Sequence, residues 1–116
     1  MASAQNGMYT FQGRSGRVFT VDTYTSDSGA GTLSTFNPSG LAVAGSPQYW
    51  RAPEAVVLID FAMHTGTTQT GVVLTENGAV KNGTVLKYVP FLDTIANRPK
   101  LNIPFEAGAL IGATSL

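Results

Sequence analysis

Apolar residues in this chain recur at every second position, in short runs broken by glycine, proline, asparagine and serine. A period of two belongs to strands with one face buried, and no stretch carries the 3.6-residue period of an amphipathic helix. Met8–Phe11 and Arg17–Tyr24 read as two strands split by Gly13 and Gly16. The strongest strand is Glu54–Met63, EAVVLIDFAM. Its odd positions, Val57, Ile59, Phe61 and Met63, are expected to face the core. Its even positions, Val56, Leu58, Asp60 and Ala62, form a second face that is apolar first and polar later. Thr70–Glu76, Thr84–Val89, Leu101–Phe105 and Ala109–Ala113 read as further strands, with short apolar runs at Leu41–Ala44 and Tyr49-Trp50-Arg51.

The punctuation agrees with the period. Asn77-Gly78 and Asn82-Gly83 are both hairpin signals, because Asn and Gly tolerate positive φ. Three residues between them are too few for a strand with a hairpin at each end, so one pair is expected to turn and the other to form a bulge or a wider loop. Glu106-Ala107-Gly108 predicts a last hairpin or sharp bend, with Pro104 confined to an edge or a bulge. Asp93–Asn97 has room for one helical turn. Seven to nine short strands with turns and long polar loops between them spell a single all-β domain over residues 1–116, an antiparallel sandwich or barrel. Residues 1–12 are candidates for an extended arm that crosses onto a neighbour.

Charge narrows the function. Seven basic and seven acidic residues cancel, and charged residues are 12% of the chain, against about 25% in an ordinary soluble domain. Near-zero net charge favours association, so much of the surface is expected to be covered by other protein. A nucleic-acid partner needs a basic stripe that this balance does not supply. No apolar run reaches the length of a membrane span. Cysteine is absent, which excludes disulfides and thiolate metal sites. MASAQNGMYT has neither a basic n-region nor an apolar h-region, so the expectation is a protein that acts where it is made or in something assembled there.

Residues that could carry chemistry are few. His64 is the only histidine, and it stands among hydroxyls in HTGTTQTG with Asp60 four residues upstream. On an extended strand that separation is roughly 13 Å, beyond the reach an orienting carboxylate needs. One histidine and one distant carboxylate also fall short of a metal site, so no metal, cofactor or catalytic residue is expected. Gly66 to Gly71 has the glycine frame of a phosphate loop, but Val72 and Val73 stand where its lysine and hydroxyl are required. This stretch reads as a hairpin connection. Asn82-Gly83-Thr84 matches a glycosylation sequon, and with no export signal expected the match reads as accidental. Candidate interface residues are Tyr49, Trp50 and Arg51, with Phe11, Arg14 and Arg17 from the first two strands. An exposed Trp beside Tyr and Arg suits a protein contact or a sugar platform, and the competing reading is an aromatic capping the core. Two arginines beside glycines also suit a solvated turn.

WRAPEAVVLIDFAMHTGTT, GVVLTENGAVKNGTVLKYVPF and LNIPFEAGALIGATSL together cover roughly residues 50–116. In pattern they resemble the small jelly-roll or sandwich decoration proteins, or cement proteins, of bacteriophage capsids. The resemblance implies a jelly-roll-like sandwich and a homo-oligomer, with a trimer the usual form. It also implies a place on the capsid exterior, made in the host cytoplasm and bound to the major capsid protein. A small carbohydrate-binding module or a tail or baseplate component is the alternative. On any of these readings, His64→Ala is expected to leave folding and assembly nearly intact, as checked by thermal melting and native mass.

Overall fold

The computed structural model describes residues 4–26, 33–37, 47–65, 71–87, 94 and 100–115. They form nine strands: β1 (Ala4–Gly13), β2 (Val18–Ser26), β3 (Thr35–Asn37), β4 (Trp50–Arg51), β5 (Val56–Thr65), β6 (Gly71–Glu76), β7 (Ala79–Lys87), β8 (Ile103–Phe105) and β9 (Leu110–Ser115). Two antiparallel sheets result, ordered β3-β2-β1-β5-β8 and β4-β9-β6-β7. The all-β sandwich expected from the period-two pattern is the architecture found. In the first sheet β5 returns beside β1, next to the antiparallel series β1, β2, β3, which is the order of a Greek key.

β1 corrects the expectation of an arm. Residues 4–12 lie at the middle of the five-stranded sheet, paired to β2 on one side and β5 on the other. The polar run Ala-Gln-Asn-Gly hid the strand, because its order comes from main-chain pairing to two neighbours rather than from apolar alternation. Further along, Tyr9 and Phe11 point inward and are fully buried.

Irregular pairing decides which side chains face inward. Along β5 the register passes from Thr10↔Asp60 to Phe11↔Leu58, so Ile59 is an extra residue and the strand bulges. A one-residue insertion reverses the facing of everything beyond it. Val56 and Leu58 are therefore buried before the bulge, and Phe61 and Met63 after it. The expected inward set holds for Phe61 and Met63 and fails for Val57 and Ile59, which are only half-buried. Between β6 and β7, Asn77 (φ 54°) and Gly78 (φ 86°) make the two-residue turn, both with positive φ. Asn82-Gly83 forms the bulge: β7 takes five steps from Val80 to Val85 while β6 takes two from Thr75 to Val73. Gly83 sits there at φ 78°, and the Thr84 hydroxyl donates to the Lys81 carbonyl across it.

Two of the connections between the sheets run side by side. The chain bends between β4 and β5 and again between β8 and β9, and the bent segments stay paired. Trp50↔Ile111 and Arg51↔Leu110 lie in one sheet, while Val56↔Phe105 and Leu58↔Ile103 lie in the other. At the corner Ala52 N–H donates to Ala109 O (2.9 Å) and Gly108 N–H to Ala52 O (2.9 Å). A two-stranded ribbon thus folds over from one sheet to the other. Glu106–Gly108 is the expected bend, with Gly108 at φ 78°, and Pro104 lies on the edge strand β8. Elsewhere, Leu33 bridges to Thr114 of β9 and Thr35–Asn37 pairs with β2, so the chain passes from one sheet to the other within five residues. The segment from Gly66 to Thr70 lies outside the described residues. Because β5 and β6 belong to different sheets, it joins the two sheets and is not the hairpin connection expected. Leu41–Ala44 and most of Asp93–Asn97 also lie outside the described residues.

The core between the sheets is aromatic. Phe11 contacts Trp50 (centroids 4.9 Å apart), Phe105 (6.1 Å) and Tyr9 (6.3 Å). Tyr9 in turn meets Phe61 (4.9 Å) and Phe36 (5.8 Å). Burial pushes the Tyr9 hydroxyl far above its ordinary pKa, and a hydrogen bond with Thr23 satisfies it. Phe11→Ala is expected to cost about 3–5 kcal/mol, read as a lower urea midpoint at unchanged slope. A loss under about 1 kcal/mol would mean that the site collapses or is not packed as described.

Candidate functional site

One end of the sandwich collects the chain's most ordered exposed polar contacts. The turn joining β1 to β2 closes with Gly13 N–H donating to Arg17 O (2.7 Å) and Gly16 N–H to Gly13 O (3.0 Å). It is moored to the β4–β5 corner by Arg14 N–H donating to Ala55 O (2.8 Å). Glu54 completes the mooring: Ser15 donates its N–H to Oε1 (2.6 Å) and its hydroxyl to Oε2 (2.8 Å). A Cβ at Gly13 would lie 2.6 Å from the Glu54 carboxyl, so the close approach needs glycine there. The Ser15 backbone N–H, its hydroxyl and the nearby Arg17 charge hold the Glu54 carboxyl below the usual carboxylate range, against a smaller desolvation effect.

The expected interface residues divide between core and surface. Phe11 is fully buried, and Trp50 is 8% exposed with Phe11 on one side and Phe19 on the other (5.7 Å). Neither presents a surface to a partner, and the Trp50 ring is occupied where a sugar would have to stack. Of the two readings offered for Trp50, capping the core is the one the fold realises. Tyr49 is half-buried, its ring against Gly112 on the outer side of the second sheet, where a Cβ would come within 2.8 Å of it. Arg14, Arg17 and Arg51 are exposed. Arg51 donates to the Gly108 carbonyl (2.9 Å) and so braces the corner. Arg17 lies 4.8 Å over the Phe19 ring and 4.0 Å from Glu54. Arg17, Phe19, Trp50 and Phe11 therefore form one continuous stack from surface to core. The guanidinium of Arg14 has neither an ion pair nor a hydrogen bond among the described residues.

Beside Arg14 an open groove of about 450 Å³ runs along the outer face of the five-stranded sheet. Val57, Ile59 and Pro104 make its apolar floor and wall, with Gln12 and Asn102 as polar rims. Sequence reasoning missed this groove because it assigned Val57 and Ile59 to the core. A possible signal was present in EAVVLIDFAM itself, which is apolar on both faces over its first half. Glu54 was missed for another reason, since its partner Ser15 is 39 residues away along the chain.

Asp60 and His64 both lie on β5. Pairing with β1 continues without a shift from Thr10↔Asp60 to Asn6↔His64, so the strand stays extended between them. Among the described residues no cluster of three or more His, Cys, Asp or Glu side chains could hold a metal ion. Thr84, the hydroxyl of the sequon, is buried and turned to main-chain acceptors. No family model, curated protein or solved structure matches this chain.

The Glu54 mooring has a pH dependence of fixed sign. A carboxyl with a depressed folded pKa contributes stability above its ordinary value and loses it as pH falls through the depressed one. The Ser15 amide proton resonance is expected to titrate with a midpoint below the usual Glu range, and Glu54→Gln should abolish that titration. A midpoint at or above the usual Glu value would show that the mooring is not made in solution.

Proposed function

We propose that this chain is a structural virion protein: a decoration (cement) protein that binds the outside of a phage capsid as a homo-oligomer and stabilises contacts between major capsid subunits. The reading begins from the resemblance of residues 50–116 to such proteins and from a surface with few charges. The observation that carries it is the outward apolar groove of Val57, Ile59 and Pro104 on the five-stranded sheet. Large apolar side chains are also exposed at Val18 (60%), Val80 (57%) and Val85 (49%). Groups of this kind gain free energy when another protein covers them.

The edges of the sheets bear on how such contacts form. β3 and β8 have three residues each and β4 has two, while β7 is bulged and carries Lys81. Lys81 is half-buried, paired with Glu76 (3.0 Å) and 4.9 Å over the Phe105 ring of the other sheet. Short strands, a bulge, an edge proline and an inward charge all discourage edge-to-edge pairing. Association then proceeds through faces and loops. A protein that must stay soluble until it reaches its shell benefits from this arrangement, and the residue 4–12 segment, built into the sheet, is not what reaches a neighbour.

Purified protein mixed with bare expanded capsids is expected to bind them and to raise their thermal stability, with a native mass above that of one chain. Absence of binding together with no gain in capsid stability would remove the proposal.

A further inference from the structure

We infer that the groove beside Arg14 is a docking site for an extended, apolar segment of a partner protein that carries an acidic side chain at the Arg14 end. The inference rests on the structural reading above for the partner's setting, and on the groove alone for its chemistry.

Three observations converge. First, the floor is apolar and outward-facing, and it exists because the Ile59 bulge turns Val57 and Ile59 away from the core. Second, a cation stands at its end. Arg14 is fixed at its backbone by the bond to Ala55, and Glu54, the acidic neighbour, is already committed to Ser15 and Arg17. Arg14 thus borders both this groove and the adjoining hollow at Pro53 and Ala107 with its charge uncompensated among the described residues. A carboxylate placed there gains a charge-assisted hydrogen bond with that guanidinium. Third, the neighbouring edge strand β8 is three residues long and contains Pro104, which has no N–H to donate. Beside the groove itself, β8 offers little main-chain edge, so the contact proposed is through side chains on the face. A volume near 450 Å³ suits a few apolar side chains. Gln12 and Asn102 at the rims can hydrogen-bond the backbone of an extended chain.

The test uses the full chain and an array of randomised decapeptides in which one fixed position is Asp, Asn or Lys. Binding is expected to favour the Asp series over the Lys series by fivefold or more and to weaken with salt. Arg14→Glu should remove or invert that preference at the wild-type melting temperature, and Ile59→Asp, scored only where the variant still melts cooperatively, should abolish binding. Arg14 and Ile59 are both solvent-reaching, and Ile59→Thr serves as a milder second variant. No preference for Asp, or the same preference in Arg14→Glu, would overturn the inference. Capsid binding separates it from the function proposed above. Wild-type binding to capsids that survives Arg14→Glu and Ile59→Asp sinks the groove and leaves the function standing. Peptide selectivity without capsid binding does the reverse.

Discussion

The contact between Phe11 and Trp50 is the constraint on which the rest of the molecule depends. Phe11 belongs to the central strand of one sheet and Trp50 to the edge strand of the other, and their rings meet at 4.9 Å in the space between. Around this pair the other rings take their places, with Phe105 and Tyr9 on Phe11 and Phe19 on Trp50. Burying several aromatic side chains supplies the main driving force in a chain that has no disulfide and, among the described residues, no helix to help it. Trp50 can reach Phe11 only if its two-residue strand is held beside β9. The folded-over ribbon does this through the Ala52, Gly108 and Ala109 bonds at the corner. Packing and topology are in this sense one constraint: the ribbon brings the tryptophan to the core, and the core holds the ribbon bent.

The same geometry creates the functional surface. A bulge in β5 lets Leu58 and Phe61 both face inward although two residues, not one, lie between them. The cost is that Val57 and Ile59 turn outward, where they line the groove. The Glu54 clamp then sets the β1–β2 turn against the corner and leaves Arg14 at the groove's end. Local irregularity, core packing and an outward apolar site are thus consequences of a single inserted residue. Bulges commonly re-aim side chains beside sites of function.

Much of this was legible in advance where the signal is local. The two Asn-Gly pairs, one turning and one bulging, follow from φ preferences and spacing alone. So do the bend at Gly108 and the edge placement of Pro104. Reading failed where the deciding partner is distant. Residues 4–7 look like a polar tail until β2 and β5 are seen on either side. Trp50 looks like a surface anchor until Phe19 and Phe11 close over it, and Gly66 to Gly71 looks like a hairpin until β5 and β6 fall into separate sheets.

Period-two alternation and turn chemistry therefore determined the class of fold and the places where the chain turns. These are properties of a residue and its near neighbours, because side-chain facing and φ preference are set within a few bonds. Tertiary structure alone decided the strand order, the facing of β5 across its bulge, the burial of Phe11 and Trp50, and the meeting of Glu54 with Ser15. Each of these depends on which distant segment supplies the other half of a contact. That choice is made by the packing of two sheets as a whole, and no local pattern encodes it.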